Sequence, residues 1–160
     1  APSVYADYDK TKQTVLSLKS YIDAQPKSIQ LCHIDAVPDN FLFVTGKDGS
    51  EEIKLTDWEY AGMQDPHLDV AMFIIYAMYD RDSAEKLIDL YFSDGCDKAT
   101  RLKIYCYIAV SGLVWSNWCE FKRHCGVEFG AYAQRQYDYA REYTKIFFKE
   151  YREAFGRDYV

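Results

Sequence analysis

The 160-residue sequence is poor in the residues that break regular structure, with four prolines and eight scattered glycines. A glycine-rich loop able to cradle a nucleotide phosphate is missing. The one Gly-Lys pair, Gly46-Lys47, lacks P-loop spacing and stands between two candidate strands. Long apolar runs are missing too. The longest, Val70–Met78 and Ile104–Val110, fall well short of the roughly 20 residues a bilayer span needs. Neither follows a basic N-terminal region, so no signal peptide or membrane insertion is expected. No block of lysine and arginine occurs and the net charge is -6, which argues against nucleic acid and anionic membrane surfaces as partners. A cationic ligand suits that sign better. No CxxC pair occurs among the five cysteines; an odd, unpaired set predicts reduced thiols in a cytoplasmic protein. His124-Cys125 lies near Cys119 without the paired spacing of a metal site, and reads as a helix end.

Aromatics are plentiful: 15 tyrosines, 9 phenylalanines and 3 tryptophans must supply much of the packing energy. The apolar spacing predicts a helix over residues 9–24, ended by Pro26. Residues 31–40 read as an irregular loop around Pro38 and Asp39. Phe41–Val44 and Glu52–Thr56 read as the strands of a hairpin. Beyond this the pattern is helical: Pro66 to Met78, Ser83 (as N-cap) to Phe92, Asp97 (as N-cap) to His124, and Phe129 to Phe155. The expectation is a single mainly α domain over 1–160 with one small embedded hairpin.

One segment stands out chemically. Cys32-His33-Ile34-Asp35-Ala36-Val37-Pro38-Asp39-Asn40 has the form H-x-D-x-x-x-x-N, and Asp57 comes 22 residues after Asp35, just past the hairpin. Phosphoryl transfer from ATP to a hydroxyl needs a carboxylate at the attacking oxygen and oxygen ligands that hold magnesium against the phosphates. By analogy with protein kinases, Asp35 takes the catalytic-base role, Asn40 and Asp57 the metal-ligand roles, and His33 pins the loop.

The loop and Asp57-Trp58-Glu59-Tyr60-Ala61 resemble the kinase-like superfamily of aminoglycoside phosphotransferases and choline kinases. Within it they are most similar to bacterial choline kinases linked to lipopolysaccharide decoration. Asp65-Pro66-His67-Leu68-Asp69-Val70-Ala71 is similar to the segment where that superfamily keeps a structural aspartate, and Asp69 matches it. Trp115-Ser116-Asn117-Trp118 resembles the paired tryptophans of choline kinases, and Glu128-Phe129-Gly130 with Tyr132-Ala133-Gln134 resembles the segment next in order in those enzymes. The i, i+3 spacing puts both indoles on one helical face, where they could wall a trimethylammonium group. The resemblance implies the C-terminal lobe of a protein-kinase-like α+β fold, with catalytic loop 31–40, hairpin and metal aspartate 41–60, and acceptor-binding helices 66–155. It implies ATP and Mg2+ as cofactors and choline, or another amino alcohol such as ethanolamine or an aminoglycoside, as acceptor. Tyr60, Tyr132, Trp115, Trp118 and Glu59 would bind that acceptor. One departure concerns the glutamate these enzymes keep about seven residues past the structural aspartate, where Tyr76 stands here; charge would then come from Glu59 or Asp35, or the cage would be purely aromatic. The ATP-gripping N-terminal lobe of the family has no counterpart in the sequence, so a fragment inactive by itself is expected. A binding or scaffolding module is the non-catalytic alternative, and an exposed docking face would favour a homodimer.

Overall fold

A computed structural model describes residues 2–159. The chain order is α1 (Tyr8–Ser17), α2 (Lys19–Ala24), β1 (Gln30–Cys32), a 3-10 turn (Pro38–Asn40), β2 (Phe41–Thr45), β3 (Glu51–Leu55), β4 (Gly62–Gln64), α3 (His67–Tyr76), α4 (Arg81–Tyr91), α5 (Lys98–His124) and α6 (Ala131–Phe155). This is the mainly helical lobe with a small hairpin that the sequence predicts. No helix among the described residues is long and apolar enough to cross a membrane.

Several boundaries differ from the sequence reading for identifiable reasons. The helix expected over 9–24 breaks at the fully buried Leu18, whose N–H reaches back only three residues to Val15 O. Hydroxyls of Thr14, Ser17 and Ser20 donate to carbonyls of the preceding turn there, a pattern that bends helices. Residues Gln30–Cys32, the last two of which fall in the segment read as an irregular loop, instead pair antiparallel with Gly62–Gln64 to form a second two-stranded sheet. Pro66 is the N-cap of α3 rather than its first residue. The cap of α4 is Asp80, not Ser83: its carboxylate accepts from Ser83 N at 2.9 Å. Asp97 does cap α5, accepting from Thr100 N at 3.0 Å.

The core lies where α3, α4, α5 and α6 meet, with Ile74, Ile75, Ile88, Leu102, Tyr105, Ile108, Tyr139, Tyr143 and Phe147 almost fully buried. Tyr139, Tyr143, Phe147 and Tyr151 of α6 thus face inward. Helices α5 and α6 come closest at Gly112, where an added Cβ would sit 2.7 Å from Gln136 O and 2.8 Å from Tyr139 Cβ. Only glycine permits that approach.

The segment between β4 and α3 is pinned by a buried ion pair. Lys103 Nζ on α5 donates to Asp65 Oδ2 at 2.7 Å and to Pro26 O at 2.9 Å, and Tyr107 Oη donates to the same carboxylate oxygen at 3.1 Å. Both members of the pair are at most 5 % exposed. The corner that leads into α3, and hence Asp69, is therefore locked to the helix that carries Trp115 and Trp118.

Candidate active site

The segment 33–40 is held from three directions. From α3, the Asp69 carboxylate accepts from two consecutive backbone groups, His33 N on Oδ2 and Ile34 N on Oδ1, each at 2.8 Å. Ile34 has φ 69°, costly for a β-branched residue. The paired acceptor makes that conformation tenable. From the hairpin, the buried His33 ring donates through Nε2 to Thr56 O at 2.7 Å. Its Nδ1 is buried without a partner among the described residues, and the ring serves as a peg. Trp58 covers it edge-on, with centroids 4.7 Å apart. Within the loop, Asn40 Nδ2 donates to Asp35 O at 2.9 Å, and Asn40 O accepts from Thr56 N at 3.0 Å.

These contacts decide which way the functional atoms face. The amide nitrogen of Asn40 is spent on the loop, which leaves Oδ1 as its free metal-type donor. The β2–β3 register Phe41↔Leu55 carries the chain back so that Thr56 bonds Asn40 and Asp57 comes at once after it. Asp57 is exposed and has φ 64°, a turn that points the backbone away from the strand direction. Among the described residues no group of three or more His, Cys, Asp or Glu could hold a metal. The chain offers a carboxylate and an amide oxygen, a hard and partial donor set. That suits Mg2+, which keeps waters and takes phosphate oxygens for the remaining positions.

Beside the loop lies a cavity of about 770 Å³. Its lining includes the carboxylates Asp35, Asp39 and Glu59 and the aromatic rings of Tyr60, Tyr76, Trp115, Trp118, Phe129 and Tyr132. Trp115 meets Tyr76 edge-on at 5.3 Å, and Phe129 packs on Trp118 at 5.1 Å. Lys122 Nζ already sits 5.5 Å from the Trp118 ring centre, so that indole accepts a cation in this fold. Burial raises the phenol pKa values of Tyr76 and Tyr132, which keeps both neutral.

The structure thus brings Asp35, Glu59, Tyr60, Trp115, Trp118 and Tyr132 onto one cavity, while Asn40 and Asp57 stand together at the hairpin and His33 and Asp69 lie behind the loop. Sequence reasoning passed over Phe129 and Asp39, and treated Tyr76 only as a substitution. Phe129, read as the first residue of the last helix, instead stands just before its N-cap Gly130, three residues before Tyr132. Carboxylates and aromatic faces thus share one cavity.

Residues 1–94 match the profile of the choline/ethanolamine kinase family. The chain belongs to that family. It is 30% identical over 121 residues to Protein LicA of Haemophilus influenzae, an alignment covering 68% of this chain and 41% of that one. Among solved structures it resembles a choline/ethanolamine kinase family protein from Mesorhizobium loti (TM-score 0.75, 25% identity, 91% of this chain and 49% of that one). It also resembles the choline kinase LicA from Streptococcus pneumoniae (TM-score 0.69, 28% identity, 89% and 49%). A structure of LicA in complex with AMP is similar at TM-score 0.72 and 27% identity, over 92% of this chain and 50% of that one. The chain spans less than half the length of the curated relative and about half that of the solved structures.

Proposed function

We propose that the chain is the catalytic and acceptor-binding lobe of an ATP-dependent kinase that phosphorylates the hydroxyl of choline. One observation carries this: Asp35, on a loop braced by Asp69 and His33, shares one cavity with the aromatic faces of Tyr60, Tyr76, Trp115, Trp118, Phe129 and Tyr132. A trimethylammonium group suits the aromatic faces, because it needs no hydrogen-bond acceptor and is attracted to π faces. Its two-carbon arm then brings the hydroxyl toward Asp35.

Asp35 accepts the hydroxyl proton as the oxygen forms its bond to the γ-phosphorus of ATP; the bond from that phosphorus to the β–γ bridging oxygen breaks, and ADP leaves with the electron pair. Asn40 Oδ1 and Asp57 would hold magnesium, which when bound neutralises charge on the phosphate oxygens. The nucleotide-gripping elements belong, on this reading, to the part of the relatives' length that the chain does not span. The AMP complex of a LicA structure supports a nucleotide as the other ligand. The carboxylates Asp39 and Glu59 favour a second reading, in which ethanolamine is accepted through its N–H donors.

The test is Asp35→Ala in the full-length kinase that carries this chain, assayed over a panel of amino alcohols. Loss of phosphorylation with choline preferred by the parent is expected. Unchanged choline turnover by the variant would remove the assignment, and preference of the parent for a primary amine would turn it to ethanolamine.

A further inference from the structure

Trp118, which lines the cavity, already has a cation of its own. Lys122 stands one turn further along α5 and places Nζ over the Trp118 ring, 5.5 Å from its centre, yet Lys122 is not among the residues that line the cavity. The i, i+4 spacing sets the two side chains on one helical face. Lys122 is partly buried, and Phe129 packs on the same indole at 5.1 Å. The adjacent Arg123 reaches Glu128 at 4.0 Å, while Lys122 makes no ion pair among the described residues. No carboxylate in contact offsets its charge, a compact point charge on a flexible stem. Trp118 therefore touches the cavity and the Lys122 ammonium at once.

We propose that Lys122 is a specificity-determining residue whose ammonium over Trp118 penalises cations in the cavity in proportion to their charge, and so favours singly charged amino alcohols over polycationic ones. The inference rests on the kinase reading of the same cavity. A cation held by an aromatic ring lies within about 6 Å of its centre. A ligand ammonium on Trp118 is then at most about 12 Å from Lys122 Nζ, a separation comparable with the screening length of about 8–10 Å at ordinary salt. The repulsion is modest for one charge and is repeated for each further charge that the ligand brings. Asp35, Asp39 and Glu59 pull the other way, and their pull also grows with ligand charge. Lys122 offsets part of it. The balance shifts toward the aromatic faces, which suit a single quaternary ammonium.

The experiment is Lys122→Met in the full-length kinase that carries this chain, beside Lys122→Arg, with melting curves as the folding control. Methionine keeps an unbranched stem beside the indole and removes the charge. The KM of choline and the competitive inhibition constant of 1,3-diamino-2-propanol, doubly charged at neutral pH, are measured at low and at high salt. In Lys122→Met the choline KM should fall about threefold and the diamine constant about tenfold, because a second charge roughly squares the factor. Lys122→Arg should stay near the wild type for both. At about 1 M salt, where the screening length is about 3 Å, both gains should vanish. The carboxylates are the same in all three proteins, so their pull cancels in the comparison. Unchanged or weaker choline binding in Lys122→Met, equal gains for the two ligands, or gains that persist at high salt would each overturn the inference. A diamine that competes in neither protein overturns it as well, since Lys122 is then not what excludes it, and leaves the kinase reading intact. A parent that turns over no amino alcohol overturns both.

Discussion

Replacing Asp69 by alanine is the sharpest probe of how the site is held. The carboxylate makes two charge-assisted hydrogen bonds of 2.8 Å, to His33 N and Ile34 N. Bonds to charged groups contribute about 1.5–3 kcal/mol each. Both donors would be left unpaired beside a residue at φ 69°, a conformation that itself costs about 1–3 kcal/mol and persists only where the surroundings enforce it. The loop need not stay in place: once released, Ile34 can return to an ordinary backbone conformation and the amides can find water. The net loss of global stability should therefore be about 2–4 kcal/mol, below the simple sum of the two bonds. That is a sizeable share of the 5–15 kcal/mol typical of a domain. Urea unfolding measures the total, and amide hydrogen exchange at His33 and Ile34 locates it. Protection of those two amides should fall far more than that of the α5 core. If both amides keep their wild-type protection, the brace is not what holds the loop.

The remaining expectations address the cavity, the core and the buried pair. Trp115→Ala should weaken choline binding by about tenfold, within the 0.5–2 kcal/mol of a cation–π contact, and identical heats by calorimetry for the two proteins would remove the cage. Gly112→Ala forces a Cβ against the Gln136 carbonyl and should lower stability by about 1–3 kcal/mol; an unchanged melting temperature would show that α5 and α6 can part without cost. Lys103→Met strands a buried Asp65 carboxylate and should cost about 3–5 kcal/mol, read by denaturant titration. The titration of His67 gives a pH test. Burial first, then Lys103, lowers its pKa below the usual histidine value of 6.5. The unfolded state thus binds the proton more readily, and stability falls as the pH drops through about 6.5 toward the lower folded value. His67→Gln should flatten that slope; an equal slope in the variant would assign it to other groups.

How much could be read from the sequence depended on how local each determinant is. The loop 31–40, the hairpin and Asp57 fall within 27 residues, so motif spacing alone singles them out. The helices were visible because periodicity and caps such as Asp97 are local signals. The β1–β4 pairing was not visible: it joins two three-residue strands across 30 residues of chain, and strands that short have no alternation to detect. The break at Leu18 was hidden because it comes from hydroxyls competing for carbonyls in a segment of good apolar spacing. The neighbourhood of Tyr76 with Asp35 was hidden for the same reason as the sheet, since only the packing of α3 against the loop brings them together.

Two residues with left-handed backbone, Ile34 and Asp57, stand at either end of the loop-and-hairpin segment, and neither is a glycine. Strain of this kind survives only where neighbours over-determine the conformation. For Ile34 the enforcing group is Asp69, on α3. For Asp57 it is the preceding Thr56, whose N–H and hydroxyl both donate to Asn40 O while its own carbonyl receives the His33 ring. Asp69 stands four residues beyond Asp65, which Lys103 locks to α5. The strain at the loop is thus balanced by contacts that run into the helical core, and no group outside the chain is needed for them. The backbone at Asp35 and the amide of Asn40 are therefore set before any ligand arrives. Such pre-organisation lowers the cost of reaching the reactive geometry, because the backbone ordering is carried by folding rather than by binding.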